Sequence, residues 1–359
     1  MAATEYGVNH PLAVKLWSKK LLREALKETF ISRFMSSGTN NIIQIKTETN
    51  KNAGDRVTYG LRMQLSGNGV QGDATLEGNE EALTTYSDNL FIDQLRHAVI
   101  SKGKMSEQRV PFSVREEALD GLKDWLAGRL DTWFFNQIAG NTGQADTRYT
   151  GNQATIAPSS TSGNTRWLFA DGTSSTEGSL STTDKFQLTY IDRAVTTAKT
   201  ATPLIRPVRV KGNEYFVMFL HPRQVYNLRT DATANRITWF DTQKARVSGG
   251  MTSEEENPIF NGSLGIYNNV VLHESTRIPT VTTGGSSPEN VYRAVFCGCQ
   301  AAVMAFGQDN SEDGSWNEKL FDYGNQLGVK AGLIAGLKKS VFNSIDFGTI
   351  VVSSRDAAP

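Results

Sequence analysis

The glycines at 67, 69 and 72 match G-x-G-x-x-G in the stretch GNGVQG. In dinucleotide-binding proteins these glycines turn a strand into a helix, so that a pyrophosphate meets the free N–H groups and the dipole of the helix N-terminus. That chemistry needs a helix directly after the turn. The next residues are DATLEGNEE, with a further glycine at 78 and no helical period. A dinucleotide-binding enzyme using Gly67, Gly69 and Gly72 is therefore retained only as the alternative reading.

DNSEDG, residues 309–314, resembles the first half of a calcium loop, in which alternate oxygen ligands wrap the ion and a glycine makes the bend. The twelfth position should be a bidentate glutamate and is Leu320, which excludes an EF-hand and leaves a polar turn or a looser cation site. His10, His97, His221 and His273 are scattered without zinc-ligand spacing. Cys297 and Cys299 stand two apart, so in a strand they face the same side and do not pair with each other; this usage fits a reducing compartment. No nucleophile elbow, Walker loop or kinase signature is present. The sequon Asn261-Gly262-Ser263 would go unused in a cytosolic protein. No catalytic, cofactor-binding or metal residues are assigned, and the chain is read as a non-enzyme.

The 359 residues carry 37 basic and 37 acidic side chains. A balanced charge lacks the positive excess that drives tight nucleic-acid binding by counterion release, so a dedicated DNA binder is excluded. No apolar run is long enough to span a bilayer, and the first residues lack the apolar core of a signal peptide. The expected setting is cytosol, or a particle assembled there, without membrane contact.

The elements that would position functional residues are set by periodicity. Leu16, Trp17, Leu21, Leu22, Leu26, Phe30 and Phe34 predict an amphipathic helix over 12–35, with Lys15, Lys19, Lys20 and Arg23 on its polar face. That face is either simply solvated or a basic arm that docks on an acidic neighbour. Residues 54–100 alternate, break at Gly67, Gly69, Gly72 and Gly78, and alternate again, which predicts two long strands around a glycine-rich tip. A two-stranded ribbon is marginal alone and must lie against something. Ser113 and Glu116 open a long helix in capping-box spacing, Leu119, Leu122, Leu126, Leu130, Trp133 and Gln137 mark one face, and Gly140 closes it. Residues 141–183, rich in Gly, Ser and Thr, read as a linker or surface insertion. A second helix is expected at about 184–199. A hairpin turning at Gly212-Asn213 then leads into the apolar run EYFVMFLHP, which suits a buried central strand. The fold class is α+β.

The order of these elements resembles the HK97-type fold of tailed-phage major capsid proteins: N-terminal arm, extended E-loop, spine helix, peripheral domain and axial domain. Three strings look like one branch of that family, found in certain short-tailed phages and their relatives. They are GDRVTYGLRMQLSGNGVQGDATLEGNEEAL, ENPIFNGSLGIYNNVVLHE at 256–274 and FDYGNQLGVKAGLIAGLKKSVFNSIDFGTIVVSS at 321–354. The resemblance implies an arm at 1–53, an E-loop at 54–104 and spine helix plus peripheral domain at 105–221 with the insertion 141–183. It places a mainly axial domain at 222–340, and a C-terminal strand and tail at 341–359. It further implies a subunit that self-assembles into hexamers and pentamers of an icosahedral shell enclosing double-stranded DNA.

On this reading the loop lies across a neighbouring subunit. Its acids Asp73, Glu77, Glu80, Glu81 and Asp88 are expected to meet basic groups such as Lys15, Lys19, Lys20 and Arg23 of the arm. Some relatives weld their shells through an E-loop lysine, but no lysine lies between Lys51 and Lys102, so that route is not expected. The arm begins within a dozen residues of Met1, which favours a separate scaffolding protein over a fused one. Near-zero net charge implies weak, non-specific contact with packaged DNA; a cement or decoration protein is a further expected partner. A carbohydrate-binding or decoration module would instead require Trp167, Trp239 and Trp316 exposed on one surface.

Overall fold

Residues 215–220 form six consecutive apolar positions of the strand Asn213–Leu220, and all six are buried. Continuous burial along a strand requires cover on both faces of its sheet, and the surrounding architecture supplies it. The computed structural model describes residues 30–46, 54–231 except 64, 66, 112, 162 and 163, then 239, 263–282, 290–307 and 315–355.

Asn213–Leu220 sits inside an eight-stranded sheet, antiparallel to Asn290–Cys297 on one side and parallel to Val270–Glu274 on the other. Thr349–Arg355 extends the sheet beyond Asn290–Cys297. One face is covered by the helices Leu188–Thr200 and Pro222–Thr230, whose Ile191, Val195, Ala198, Val225 and Leu228 pack on Phe216, Met218 and Phe296. The other face meets Trp133, Phe134, Phe135 and Ile138 at the end of the long helix Val114–Ala139. The Phe219 ring lies 5.2 Å from Phe34, 5.5 Å from Phe135 and 5.9 Å from both Phe30 and Phe134, in edge-on geometries that favour aromatic pairs.

The long helix starts and stops where its residue types require. Ser113 Oγ accepts the Glu116 N–H at 3.3 Å, and Gly140 takes a left-handed conformation at φ 62°. A Cβ on Gly140 would stand 2.6 Å from the Ile156 carbonyl oxygen, so only glycine fits. Arg293 donates to the carbonyls of Ala139 and Gly140 at 3.0 and 2.8 Å while pairing with Glu177. A buried cation thus meets the negative end of the helix. Gly128, unfavourable in a helix interior, has its own reason: Arg277 donates to the Gly128 carbonyl at 2.6 Å, and a Cβ there would lie 3.0 Å from the guanidinium.

The first half of this helix covers one face of a second, six-stranded sheet. Its order is Met35–Ser36, Ile43–Lys46, Ala302–Phe306, Gln326–Lys339, Ser315–Phe321, with Asp93–Ile100 on the other edge of Gln326–Lys339. Leu126 and Leu130 pack with Leu95 and Leu333, and the rings of Trp125 and His97 stack 4.6 Å apart.

Several expectations are corrected. Pairing within the hairpin ends at Phe91, after which Asp93–Ile100 crosses to the second sheet, where Gln326–Lys339 offers it an eight-residue antiparallel ladder. The stretch 141–183 is not merely a surface insertion. Trp167–Phe169 adds a parallel edge strand to Thr349–Arg355, and Leu168, Phe169 and Leu180 are buried there. The two-residue turn is Lys211-Gly212, one position earlier than expected, because a hairpin turn of this hand needs two positive φ values, here 48° and 88°. The arm helix expected over 12–35 lies mostly outside the described residues; Phe30–Phe34 form a short 3-10 helix instead, since the N–H groups of Phe30 and Ile31 turn to Asp131 at 3.0 and 3.1 Å. The six-stranded sheet thus joins strands far apart in sequence, Asp93–Ile100 beside Gln326–Lys339.

Candidate assembly surface

The loop hairpin pairs Arg56–Arg62 with Thr85–Phe91 and has only a small core: Val57 and Leu90 pack on Val303 and Ala305 of the body. Polar contacts complete its root. Lys338 reaches Asp88, and its ammonium also donates to the Asn89 carbonyl at 3.0 Å. Asp88 Oδ2 accepts from the Tyr59 hydroxyl at 2.8 Å and from the Val341 N–H at 3.3 Å. Burial and the neighbouring carboxylate push the Tyr59 phenol well above its ordinary range, so it stays protonated and donating. At Gly336 the hairpin backbone comes so close that a Cβ would overlap the Phe91 carbonyl oxygen.

Beyond Arg62 the described tip contains no regular element before Thr85. Gly69, Gly72 and Gly78 each take positive φ, at 65°, 65° and 89°. Leu65, Leu76 and Leu83 are 59, 60 and 57% exposed. Three exposed leucines on one loop mark a surface made to be covered.

Asp73, Glu77, Glu80 and Glu81 all lie on this exposed tip. Glu80 accepts the Gly78 N–H at 2.8 Å, and Glu81 accepts the Gly67 N–H at 2.7 Å, closing the tip across its neck. Asp88 departs from the expected set. It is only 8% exposed and its carboxylate is consumed inside its own subunit, because alternation along Thr85–Phe91 turns it toward Lys338. Lys15, Lys19, Lys20 and Arg23 lie outside the described residues. Sequence reading missed Tyr59, Lys338 and Gly336; the only local signal was the polar Asp88 at an inward register of the hairpin.

The dinucleotide alternative falls on geometry. Gly67, Gly69 and Gly72 belong to an irregular tip, and the next described helix begins at Lys104, so no helix N-terminus faces a pyrophosphate. The tryptophan surface falls too: Trp239 is 6% exposed, and the Trp167 indole donates to Ser353 at 2.9 Å. Residues 309–314 of the cation turn, and Asn261 and Gly262 of the sequon, lie outside the described residues. Cys297 and Cys299 are free and buried; His221 caps a helix and His97 stacks on Trp125. No helix among the described residues is long and apolar enough to cross a membrane.

Two sheets gripped by one long helix, with a hairpin that extends from the body, define an α+β shell-protein fold. The chain belongs to the phage capsid protein family, whose model matches residues 5–358. It is 30% identical to the major capsid protein of Pseudomonas phage KPP25 over 94% of this chain and 93% of that one. The capsid structure of Ralstonia phage GP4 matches with a TM-score of 0.84 at 33% identity, covering 100% of this chain and 99% of that one. The capsid asymmetric unit of Cyanophage Pam1 shares the fold, with a TM-score of 0.75 at 22% identity over 99% and 100% of the two chains. The protein is accordingly a shell-forming structural component of a phage capsid, and not an enzyme.

Proposed function

We propose that the chain forms hexamers and pentamers of an icosahedral shell around double-stranded DNA, and that the loop 54–91 is the element that reaches across a neighbouring copy. The observation that carries this reading is the contrast between the loop's two ends: a root fixed by Lys338, Asp88 and Tyr59, and a tip that exposes three leucines and four carboxylates. A ribbon of this size is marginal in isolation, so a partner surface completes it.

The long helix with the sheet around Gln326–Lys339 is the peripheral unit, and the eight-stranded sheet with its two helices the axial one. The tip acids pair with basic groups of the adjacent copy, for which the arm residues Lys15, Lys19, Lys20 and Arg23 are candidates. Balanced charge supports weak, sequence-independent contact with the packaged DNA. A separate scaffolding protein directs closure in the host cytoplasm, and cement or decoration proteins add to a shell whose loop has no lysine between Lys51 and Lys102 for covalent welding.

Size-exclusion chromatography with negative-stain electron microscopy tests this, on the full chain with and without its scaffolding partner. Closed shells, tubes or hexameric rings are the expected result. A monomer under every condition would overturn the reading.

A further inference from the structure

Asp131, on the long helix, has no exposed surface. Its two carboxylate oxygens accept from the chain 101 and 100 positions upstream, Oδ2 from the Phe30 N–H at 3.0 Å and Oδ1 from the Ile31 N–H at 3.1 Å. These residues open the 3-10 helix Phe30–Phe34, so a carboxylate from another element caps it. The Arg277 guanidinium stands 4.0 Å off and directs Nη1 to the Gly128 carbonyl and the Thr132 hydroxyl. Burial pushes the Asp131 carboxyl up; the two N–H groups, and after them Arg277 and Arg33, hold it down. The two backbone bonds are therefore what chiefly keeps an ionised group in this place, and an ionised acceptor makes them about twice as strong as neutral ones.

The same segment borders an apolar cavity of about 300 Å³, lined by Ser32 and Met35 of the segment, Leu126 and Leu130 of the long helix and Met304 and Leu333 of the six-stranded sheet. Protein interiors have few voids larger than a water molecule, so apolar space of this size beside a short segment is room for it to move. Little backbone bonding opposes such movement: Met35–Ser36 pairs with the sheet through two residues. Phe34 is the fixed end, its ring 5.2 Å from both Phe219 and His273, while Phe30 is only partly buried.

We propose that Asp131 is a latch on the N-terminal segment. With both N–H bonds made, the chain before Phe30 leaves the body on one course. With them broken, the turn Phe30–Ser32 swings about Phe34 into the cavity and sends that chain on a second course, while both sheets stay folded. The device is internal to one subunit, and it stands whether or not the loop reaches a neighbour. Identical chains in hexamers and pentamers, the arrangement proposed above, face their neighbours at different angles, and a segment with two courses fits that need.

The test is hydrogen exchange at the Phe30 and Ile31 amides of the full, unassembled chain, with the amides of Phe216–Leu220 in the central strand as the internal reference. Asp131→Asn keeps the shape but sets an NH2 group against two backbone donors, and it is expected to speed exchange at Phe30 and Ile31 by roughly tenfold or more with the reference unchanged. Leu126→Phe fills the cavity from the helix wall. It should slow exchange at the two amides, and in the double variant bring the rate back toward that of the parent. Benzene, which enters dry apolar cavities, fills the same space without a substitution and should slow exchange in the parent chain likewise, so the test survives if Leu126→Phe does not fold. Parent rates in Asp131→Asn overturn the latch. Acceleration spread equally to the central strand also overturns it, since Asp131 then only supports the body. If neither filler slows the two amides, the cavity is not the second seat and the proposal fails.

Discussion

Lys338 of the body strand holds Asp88 of the loop hairpin, and the same ammonium donates to the Asn89 carbonyl at 3.0 Å. Side-chain exposure is 11% for the lysine and 9% for the aspartate, so the pair is shielded from water. Removing one partner of such a pair leaves a buried charge without its counter-ion. Asp88→Ala is expected to cost about 3 kcal/mol or more in denaturant unfolding. Lys338→Met together with Asp88→Leu should recover only part of that stability: no charge is stranded, but the Tyr59 hydroxyl and the Val341 N–H lose their acceptor.

The contact between Gly336 and Phe91 sets how closely the hairpin lies on the body. A Cβ at 336 cannot coexist with the Phe91 carbonyl in its present place. Gly336→Ala should therefore lift the hairpin and lower stability by about 1–3 kcal/mol. Increased protease cleavage of residues 54–91, with little change in the eight-stranded sheet, would locate the damage; an unchanged cleavage pattern would show that the close approach is not needed.

His221 gives the fold a defined pH response. Its Nδ1 accepts the Arg223 N–H at 3.2 Å, capping Pro222–Thr230, and its ring stacks on Tyr292. Burial, and then the charge of Arg223, lower its pKa from 6.5 to about 4. The folded form thus holds the neutral ring while the unfolded chain takes up a proton. Stability from this group is present above pH 6.5 and is lost as pH falls from 6.5 toward 4. His221→Asn keeps a capping acceptor without titrating, so melts across that range should show a shallower pH dependence than the parent. An identical slope would assign the pH response to other groups.

Cys297 and Cys299 are free, buried thiols. Burial pushes the Cys299 thiol up to about 11, and Cys297 is raised still further by the same cause. Both are expected to resist a thiol reagent at neutral pH in the native protein and to react fully in denaturant. Fast labelling of native protein would mean that the end of Asn290–Cys297 opens readily.

The long helix was legible in full because both of its boundaries are written locally, in Ser113 with Glu116 and in Gly140. The buried central strand was legible from an uninterrupted apolar run, and the loop from alternation broken by glycines. The inward turn of Asp88 was not, since a carboxylate at a hairpin register looks solvated until Lys338, 250 positions away, is brought beside it. Nor was the edge strand Trp167–Phe169, whose polar surroundings imitate a linker and whose partner Thr349–Arg355 is the last described strand.

The sequence by itself determined the elements, because these depend on near-neighbour periodicity and turn chemistry; the capsid-like order of segments was read from them by resemblance. Only the tertiary structure decided which charges are spent inside the subunit and which remain on its surface. Asp88 and Lys338 neutralise each other, whereas Arg96, Lys319 and Lys330 gather on one sheet face with Asp73 and Glu77 left on the tip. That division depends on strand register across hundreds of residues, and register is fixed by which faces the packed sheets and the long helix bury.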